Sequence, residues 1–264
     1  MLRLHDEPCV YLDEVLVHRI LLDHIDELCT RMRTTLTGLG DPGAEAFGGK
    51  DLFYFDDAPG DLRVMPYHDG ATMTVKIIGT NEAGTVVPDK ISVGKAVVIH
   101  PQDHHVMGIL DVAALSSIRR AIGILLAWQA LNHGGPKPNL GVVGAGRVGA
   151  YTALAFQRAG LIDSCVAYDS NPVAVQRMHE LCELESGPRV RAAATLPHLL
   201  AESDAVALTS AAQQPLLGRA DVDKYALRFV GSVVGGRRQP RRTRGRRARR
   251  GSIAGRQPTV LRAR

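Results

Sequence analysis

LGVVGAGRVGAYTALAFQRAGLIDSCVAYD, residues 140–169, decides the fold of this chain. An apolar strand leads into Gly144, Gly146 and Gly149, which form a GxGxxG motif at the start of a helix, and a second apolar strand ends at Asp169. The first glycine permits a tight turn, the second lets the backbone approach a pyrophosphate, and the third lets helix and strand pack closely. Because the helix N-terminus attracts phosphate, the stretch predicts the opening βαβ unit of a dinucleotide-binding domain.

The spacing of the motif also predicts which dinucleotide binds. Asp169 follows Gly149 by twenty residues, where a carboxylate can bind the adenosine ribose hydroxyls and repel a 2′-phosphate. NAD is therefore favoured over NADP. The alternative is that the glycines serve packing alone, but strand, helix and acid are all in register. The predicted cofactor-binding residues are Gly144, Ala145, Gly146, Arg147, Val148, Gly149, Asp169, Ser170 and Thr209.

Strands and helices continue to alternate after this unit. The pattern predicts a helix that starts at Pro172 after Asn171, a short strand near Val190, a helix near Leu196, and strands in AVALTS and RFVGSVV. Alternation of this kind implies a parallel, doubly wound sheet. The fold class is therefore α/β of Rossmann type.

The residues before this sheet have a different pattern. Apolar residues at helical spacing predict one amphipathic helix over 13–37, and short β-branched runs between residues 62 and 110 predict strands joined by tight turns. A second helix is predicted over 116–131, with Ser116 or Ser117 as its cap, and the run NHGGPKPN ends it. This portion is α+β.

The chain of 264 residues is long enough for two modest domains. We expect an α+β domain over residues 1–135, the Rossmann-type domain over 136–236, and an Arg-rich, disordered tail over 237–264. The four cysteines form no CxxC pair, and the acidic LHDEP stretch near the N-terminus does not resemble a signal peptide, so the cytoplasm is the expected location. No apolar run is long enough to span a bilayer.

The net charge of +5 comes from the tail. Residues 237–264 contain twelve arginines and no acidic residue, which leaves 20 Lys and Arg against 27 Asp and Glu before them, about −7. Residues 1–236 therefore lack the excess of positive charge that nucleic-acid-binding proteins carry. Nucleic acid is therefore not an expected partner.

Several motifs together resemble the ornithine cyclodeaminase/mu-crystallin family. The segments that carry the resemblance are VMPY at 64–67, VKIIGTN at 75–81, LSSIRRA at 115–121, GVVGAGRVG at 141–149 and AYDSNP at 167–172. The resemblance implies an α+β substrate and dimerisation domain before an NAD(P)-binding domain, a homodimer, and a small amino acid as substrate.

The same resemblance implies that Lys76 and Arg119 bind the substrate carboxylate. A lysine inside a β-branched strand costs desolvation, and an arginine in the first turn of a helix gains nothing from the helix dipole, so a nearby anion would explain both. The alternative is that both are surface charges. For the family's further upstream arginine, this chain offers Lys50 or Arg63, and we choose Lys50.

Other positions depart from the family pattern or receive no role. Arg120 replaces a common threonine and Val148 a frequent glutamine, both where cofactor phosphates would be contacted. The histidines His68, His104 and His105 have no partner at a metal-ligand spacing, so no metal site is predicted.

The reaction that the resemblance implies is hydride transfer from the α-carbon of an amino acid to NAD, which gives an imine. Water or a side-chain amine then attacks the imine and ammonia leaves; in cyclodeaminases the cyclic imine is reduced again by the same cofactor. The family's acid/base is the aspartate of a GGDxPG segment. Here Gly235 and Gly236 are followed by Arg237, so no catalytic residue is identified.

The tail that begins at Arg237 has two interpretations. It could be an arginine-rich arm that binds nucleic acid. Alternatively it is a frameshift, because Arg-Arg-Gln-Pro-Arg encoded as CGG CGA CAG CCC CGG reads Gly-Asp-Ser-Pro-Gly when displaced by one base. The frameshift is favoured because it restores the family motif. If the chain truly ends this way, exposed apolar surface, low solubility and little or no turnover are expected.

Overall fold

The computed structural model describes residues 8–38, 49–55, 58–68, 72–80, 92–212, 214–233 and 260–261. They belong to two compact units. The first unit holds the described residues up to Ser116 except 24–34, and the second holds 24–34 and the described residues from Ser117 onward. The expected domain boundary between residues 135 and 136 stays a prediction.

The first unit contains a sheet of six strands. In chain order they are β1 Val10–Leu12, β2 Asp51–Phe55, β3 Ala58–His68, β4 Met73–Thr80, β5 Ser92–Ile99 and β6 Val106–Asp111. Their order across the sheet is β1-β6-β5-β4-β3-β2; β1 runs parallel to β6, and all other neighbours are antiparallel. Ile78, Ala96 and Val112 form a buried cluster. The strands expected between residues 62 and 110 are therefore confirmed.

The predicted single helix over 13–37 is wrong, because it is two helices. These are α1 Glu14–Asp23 and α2 Ile25–Gly38, separated by a turn at His24. Asp13 caps α1, since its Oδ1 accepts a 2.8 Å hydrogen bond from the Leu16 N–H. Helical periodicity passes through a one-residue interruption almost unchanged, which is why the pattern did not reveal the break.

The next helix begins earlier than the sequence predicted. Helix α3 is Ala113–Asn132, so neither Ser116 nor Ser117 is its cap, and both lie buried within its first turns. Asp111 takes that role because its Oδ1 accepts a 2.8 Å bond from the Ala113 N–H. Although α3 has 20 residues, no helix in the described part of the chain is long and apolar enough to cross a membrane.

The second unit contains the predicted doubly wound sheet. Its parallel strands are β7 Leu140–Val143, β8 Ser164–Tyr168, β9 Arg189–Ala192, β10 Ala205–Leu208 and β11 Phe229–Ser232. Helices α4 Arg147–Arg158, α5 Pro172–Leu184, α6 Leu196–Ala201 and α7 Arg219–Lys224 alternate with them. Their order across the sheet is β11-β10-β7-β8-β9. The chain adds β8 and β9 on one side of β7, then crosses over and adds β10 and β11 on the other side. The neighbouring strands β7 and β10 therefore form the topological switch point.

Local capping explains where several of these helices begin. Asn171 caps α5 by accepting a 3.1 Å bond from the Val173 N–H, and Pro172 occupies the first turn, as predicted. Helix α7 was not predicted, because six residues are too few for a periodic pattern. Its start is fixed by Asp221, whose Oδ2 accepts a 2.8 Å bond from the Gly218 N–H.

The predicted tail contributes one described element. Strand β12 Val260–Leu261 pairs antiparallel with β11, so the expectation that residues 237–264 contain no strand is wrong at these two positions. Arg237 and the rest of the tail lie outside the described residues.

Candidate dinucleotide-binding site

The loop between β7 and α4 can form only because Gly144 is a glycine. Its φ is +97°, a left-handed conformation that other residues rarely adopt. A Cβ at this position would lie 2.5 Å from the Ser210 backbone N and 2.7 Å from the Ser210 Cα. Its N–H donates a 2.8 Å bond to the Tyr168 carbonyl, which ties the loop to β8. The turn and the neighbouring backbone therefore both exclude a side chain.

The other two glycines of the motif have opposite surroundings. A Cβ on Gly149 would lie 2.3 Å from the Gly144 carbonyl oxygen, so this glycine serves close packing of α4. A Cβ on Gly146 would meet no described atom within 4 Å, and Gly146 is exposed. Packing therefore does not explain the glycine at 146, whereas a ligand that approaches the backbone does.

The N-terminus of α4 lies next to Gly146, at the end of the glycine loop. Gly146 is the N-cap and supplies no side-chain hydrogen bond, and the first turn holds no acidic residue. Such an end carries partial positive charge and suits a phosphate group. Arg147 adds a full positive charge to the first turn, where the helix dipole alone disfavours one. The loop therefore fits a dinucleotide pyrophosphate.

Asp169 directly follows β8 and is bound to the glycine loop. Its Oδ2 accepts a 2.9 Å bond from the Ala145 N–H, and its Oδ1 accepts a 2.9 Å bond from the Asn171 N–H. The carboxylate thus holds the loop against the start of α5, a role that spacing alone did not reveal. Each oxygen has further acceptor capacity for a ribose hydroxyl. Ser170, the next residue, is exposed in the turn before α5.

Thr209 supports the loop from the other side of the switch point. It follows β10, and its hydroxyl donates a 2.6 Å bond to the Gly144 carbonyl. Its N–H donates a 2.8 Å bond to the Val143 carbonyl. Ser210, whose backbone lies against Gly144, was not predicted; no sequence signal marks it because its contact is made by backbone atoms alone.

The predicted substrate residues Lys76 and Lys50 lie level with each other in the first sheet. Lys76 is opposite Met65 on β3, and the register that pairs Asp51 with Val64 places Lys50 level with Met65. Lys76 is half-buried on the face of β4 that also carries the buried Ile78. The residue is therefore partly withdrawn from water.

Arg63, the alternative to Lys50, is already paired. Its Nη2 lies 2.6 Å from Asp61 Oδ2, and both side chains are largely buried. A guanidinium held by its own carboxylate has less capacity for a substrate carboxylate. Lys50 also takes part in an interaction of its own, so the choice between the two cations stays a prediction.

Arg119 lies in the second unit, and its position differs from the predicted one. Because α3 begins at Ala113, Arg119 is in the second turn, so the dipole argument for an anion near it is weaker than expected. Arg119 is exposed, although protein packed around part of the side chain lowers its pKa through desolvation. Among the described residues its side chain forms no hydrogen bond or ion pair. An exposed guanidinium without a described partner is available to an anionic ligand.

One expectation about the histidines is wrong, and it concerns the turn between β5 and β6. His105 was expected to have no partner at a metal-ligand spacing, but His100 and Asp103 lie beside it. His68 is exposed at the end of β3, and His104 is exposed in the turn.

The fold and the glycine loop together define a two-unit α/β protein with a Rossmann-type dinucleotide-binding sheet. The ornithine cyclodeaminase/mu-crystallin family model matches residues 13–226, and the chain belongs to that family. A sequence comparison with curated proteins found no match.

Solved structures with the same fold are similar to this chain at low identity. An archaeal alanine dehydrogenase dimer with bound NAD has a TM-score of 0.64 and 18% identity, and the match covers 81% of this chain and 64% of that one. A Thermococcus litoralis Δ1-pyrroline-2-carboxylate reductase in complex with NADH and L-proline has a TM-score of 0.68 and 15% identity, over 85% and 68%. A probable ornithine cyclodeaminase from Bordetella pertussis Tohama I has a TM-score of 0.63 and 18% identity, and the match covers 85% of this chain and 67% of that one. This chain thus matches about 64% of the length of the alanine dehydrogenase.

Proposed function

We propose that this chain is an NAD-dependent amino-acid cyclodeaminase or dehydrogenase whose turnover is impaired. The observation that carries the proposal is the contrast within the glycine loop. Gly144 and Gly149 are enclosed by protein, whereas Gly146 faces open space beside an uncapped helix N-terminus. Membership of the family supports an amino acid as the substrate.

The residues of the second unit would hold the dinucleotide. The N–H groups at the start of α4 bind the pyrophosphate, Arg147 adds positive charge, and Asp169 binds the ribose hydroxyls. Thr209 keeps the loop in place through its bond to the Gly144 carbonyl. When bound, NAD supplies the acceptor for a hydride from the substrate α-carbon. The carboxylate of Asp169 disfavours a 2′-phosphate, so NAD is proposed rather than NADP.

Lys76, Arg119 and Lys50 are the cations that we propose for the substrate carboxylate. Arg119 has the clearest physical support, because its exposed side chain has no hydrogen bond or ion pair among the described residues. Lys76 is half-buried on the inward face of its sheet.

Arg237 is the reason to propose impaired turnover. Release of ammonia needs a carboxylate that handles the amine and water protons, and the family resemblance places it after Gly235 and Gly236. An arginine cannot accept a proton at neutral pH. The second candidate function, a non-catalytic protein of mu-crystallin type that binds a dinucleotide and a small ligand, rests on this same residue.

Arg237→Asp should separate the two functions. We expect the natural chain to bind NAD in calorimetry and to form no detectable NADH with a panel of amino acids. Arg237→Asp should form NADH, because a carboxylate again stands at the acid/base position. Arg238→Asp is the matched control, since it makes the same charge change one residue away.

NADH formation by Arg237→Asp but not by Arg238→Asp supports the enzyme. NAD binding without turnover in both variants favours the binding protein. Failure of all three proteins to bind NAD would contradict the proposed function itself.

We further propose that a second copy of the chain covers one face of the first sheet. The register places Phe53, Val93, Ile77 and Tyr11 on the same face. These side chains are exposed by 46%, 37%, 41% and 58%, respectively. Water-exposed apolar residues clustered on a sheet face indicate an interface. One similar protein is a dimer, and a self-complementary face is the commonest basis of homodimers.

Ile77→Lys should convert a dimer into a monomer. The register places Ile77 opposite Lys95, which already pairs with Asp111 at 3.0 Å, so a second ammonium would be desolvated beside a like charge on association. Size-exclusion chromatography with light scattering measures the change. Leu184→Lys, at a more exposed apolar residue on α5, is the control and should leave the mass unchanged. A natural chain that is already monomeric at micromolar concentration would exclude the interface.

The absence of nucleic-acid binding and the cytoplasmic location are not tested by any of these observations and stay predictions.

A further inference from the structure

The turn that joins β5 to β6 brings three metal-ligating side chains together. It comprises residues 100–105, His-Pro-Gln-Asp-His-His. One potential ligand atom from each of His100, Asp103 and His105 lies within 4.8 Å of the other two. This cluster is in the first unit and contains none of the residues proposed for the dinucleotide or the substrate.

Backbone hydrogen bonds fix the shape of this turn. The His100 N–H donates a 3.0 Å bond to the His105 carbonyl, and the His104 N–H donates a 3.0 Å bond to the His100 carbonyl. His104 has a φ of +60°, which is uncommon for a residue other than glycine. The imidazole rings of His100 and His105 stack with their centroids 5.1 Å apart and an interplanar angle of 16°. The side chains are thus grouped by the fold of the turn.

Two of the potential ligand atoms lie about as far apart as two ligands of a tetrahedral metal ion. His100 Nδ1 lies 3.5 Å from Asp103 Oδ2. Two ligands with metal bonds of about 2.0–2.1 Å lie about 3.4 Å apart at the tetrahedral angle. His100 Nδ1 also accepts a 3.1 Å bond from the Asp103 N–H, so its lone pair is held on the Asp103 side of the ring. A metal ion bound at Nδ1 would displace that hydrogen bond.

We propose that His100, Asp103 and His105 bind a divalent transition metal, with Zn²⁺ as the representative ion. Two imidazoles and one carboxylate suit Zn²⁺ and its neighbours, whereas Mg²⁺ and Ca²⁺ prefer oxygen ligands throughout. His100 and His105 are half-buried and Asp103 is exposed, so an ion can enter from solvent. Three protein ligands leave a fourth position for water.

Zinc titration of the full chain against a chromophoric indicator tests the proposal. The chain is first stripped with EDTA, and its exposed Cys9 is blocked by alkylation. We expect one Zn²⁺ bound per chain, and an affinity at least about tenfold weaker in His100→Ala and in His105→Ala, because each loses a direct ligand. Zn²⁺ should also raise the melting temperature of the natural chain.

Two further variants keep the test decisive. His104→Asn is the matched control, because it removes a neighbouring imidazole while asparagine tolerates the left-handed backbone, and it should bind Zn²⁺ as the natural chain does. Asp103→Asn preserves side-chain size and should weaken binding even if His100→Ala fails to fold. Equal affinity in Asp103→Asn, His105→Ala and His104→Asn would overturn the site and leave these contacts as turn-stabilising hydrogen bonds only.

Discussion

Gly144→Ala is expected to lower the free energy of unfolding by about 3 kcal/mol. A left-handed backbone costs a residue with a Cβ about 1–2 kcal/mol. The remainder comes from contact, since the new Cβ would lie 2.5 Å from the Ser210 N and 2.8 Å from the Thr209 carbonyl carbon. These atoms are backbone at the end of β10, so they cannot move without disturbing the strand. The melting temperature should fall by roughly 10 °C.

Gly146→Ala is the matched control, because it makes the same substitution two residues later in the same loop. Its φ is −75° and its Cβ would meet no described atom, so the melting temperature should stay within a degree or two of the natural value. NAD affinity should nevertheless fall by about tenfold or more, because a methyl group then occupies the space proposed for the pyrophosphate. Calorimetric titration with NAD measures this.

Each of these two variants has a result that would contradict its prediction. If Gly146→Ala binds NAD as well as the natural chain, the open space at that glycine is not where the pyrophosphate lies. If Gly144→Ala melts at the natural temperature, the loop has a second conformation that relieves its positive φ.

Much of the second unit could be predicted from the sequence because its determinants are local. A strand, three glycines and a helix are adjacent along the chain, and Asn171 followed by Pro172 marks the start of α5 without reference to any distant residue. The parallel order of the sheet then follows from the alternation of strands and helices. Helix α7 was missed because its six residues carry no periodic signal.

The first unit was less predictable because its decisive contacts are distant in sequence. The early start of α3 depends on Asp111, at the end of a strand, whose carboxylate is partly shared with Lys95 at 3.0 Å. The short strand β1 pairs with β6, nearly a hundred residues later, and no local pattern indicates that pairing. Helical periodicity likewise could not indicate that the chain turns at His24.

The same distinction holds for the candidate sites. The GxGxxG spacing predicted Asp169 as a ribose-binding residue but did not reveal its bond to the Ala145 N–H, which exists only once β7 and β8 pair. His105 appeared to have no partner because its partners are in a turn whose closure the sequence does not specify. For Arg119, the predicted place in the first turn of α3 is wrong, because that helix begins at Ala113.

Arg119→Met should leave stability nearly unchanged while lowering affinity for amino acids. Arg119 is exposed, and its side chain has no partner among the described residues, so its charge contributes little to folding. Methionine keeps the aliphatic part of the side chain and removes the charge. A charged hydrogen bond to a carboxylate contributes about 1.5–3 kcal/mol, so amino-acid affinity should fall roughly 10- to 100-fold.

Thermal shift in the presence of NADH measures both effects at once. The melting temperature without amino acid reports the stability, and its rise on addition of each member of an amino-acid panel reports binding, even if the chain does not turn over. Arg219→Met, at an exposed arginine on α7 outside both proposed sites, is the control and should retain the ligand-induced rise. A ligand-induced rise that survives in Arg119→Met would mean that Arg119 does not bind the substrate, and a melting temperature several degrees lower without ligand would mean that Arg119 stabilises the fold. A cation that serves binding and one that serves the fold therefore predict different results in these two measurements.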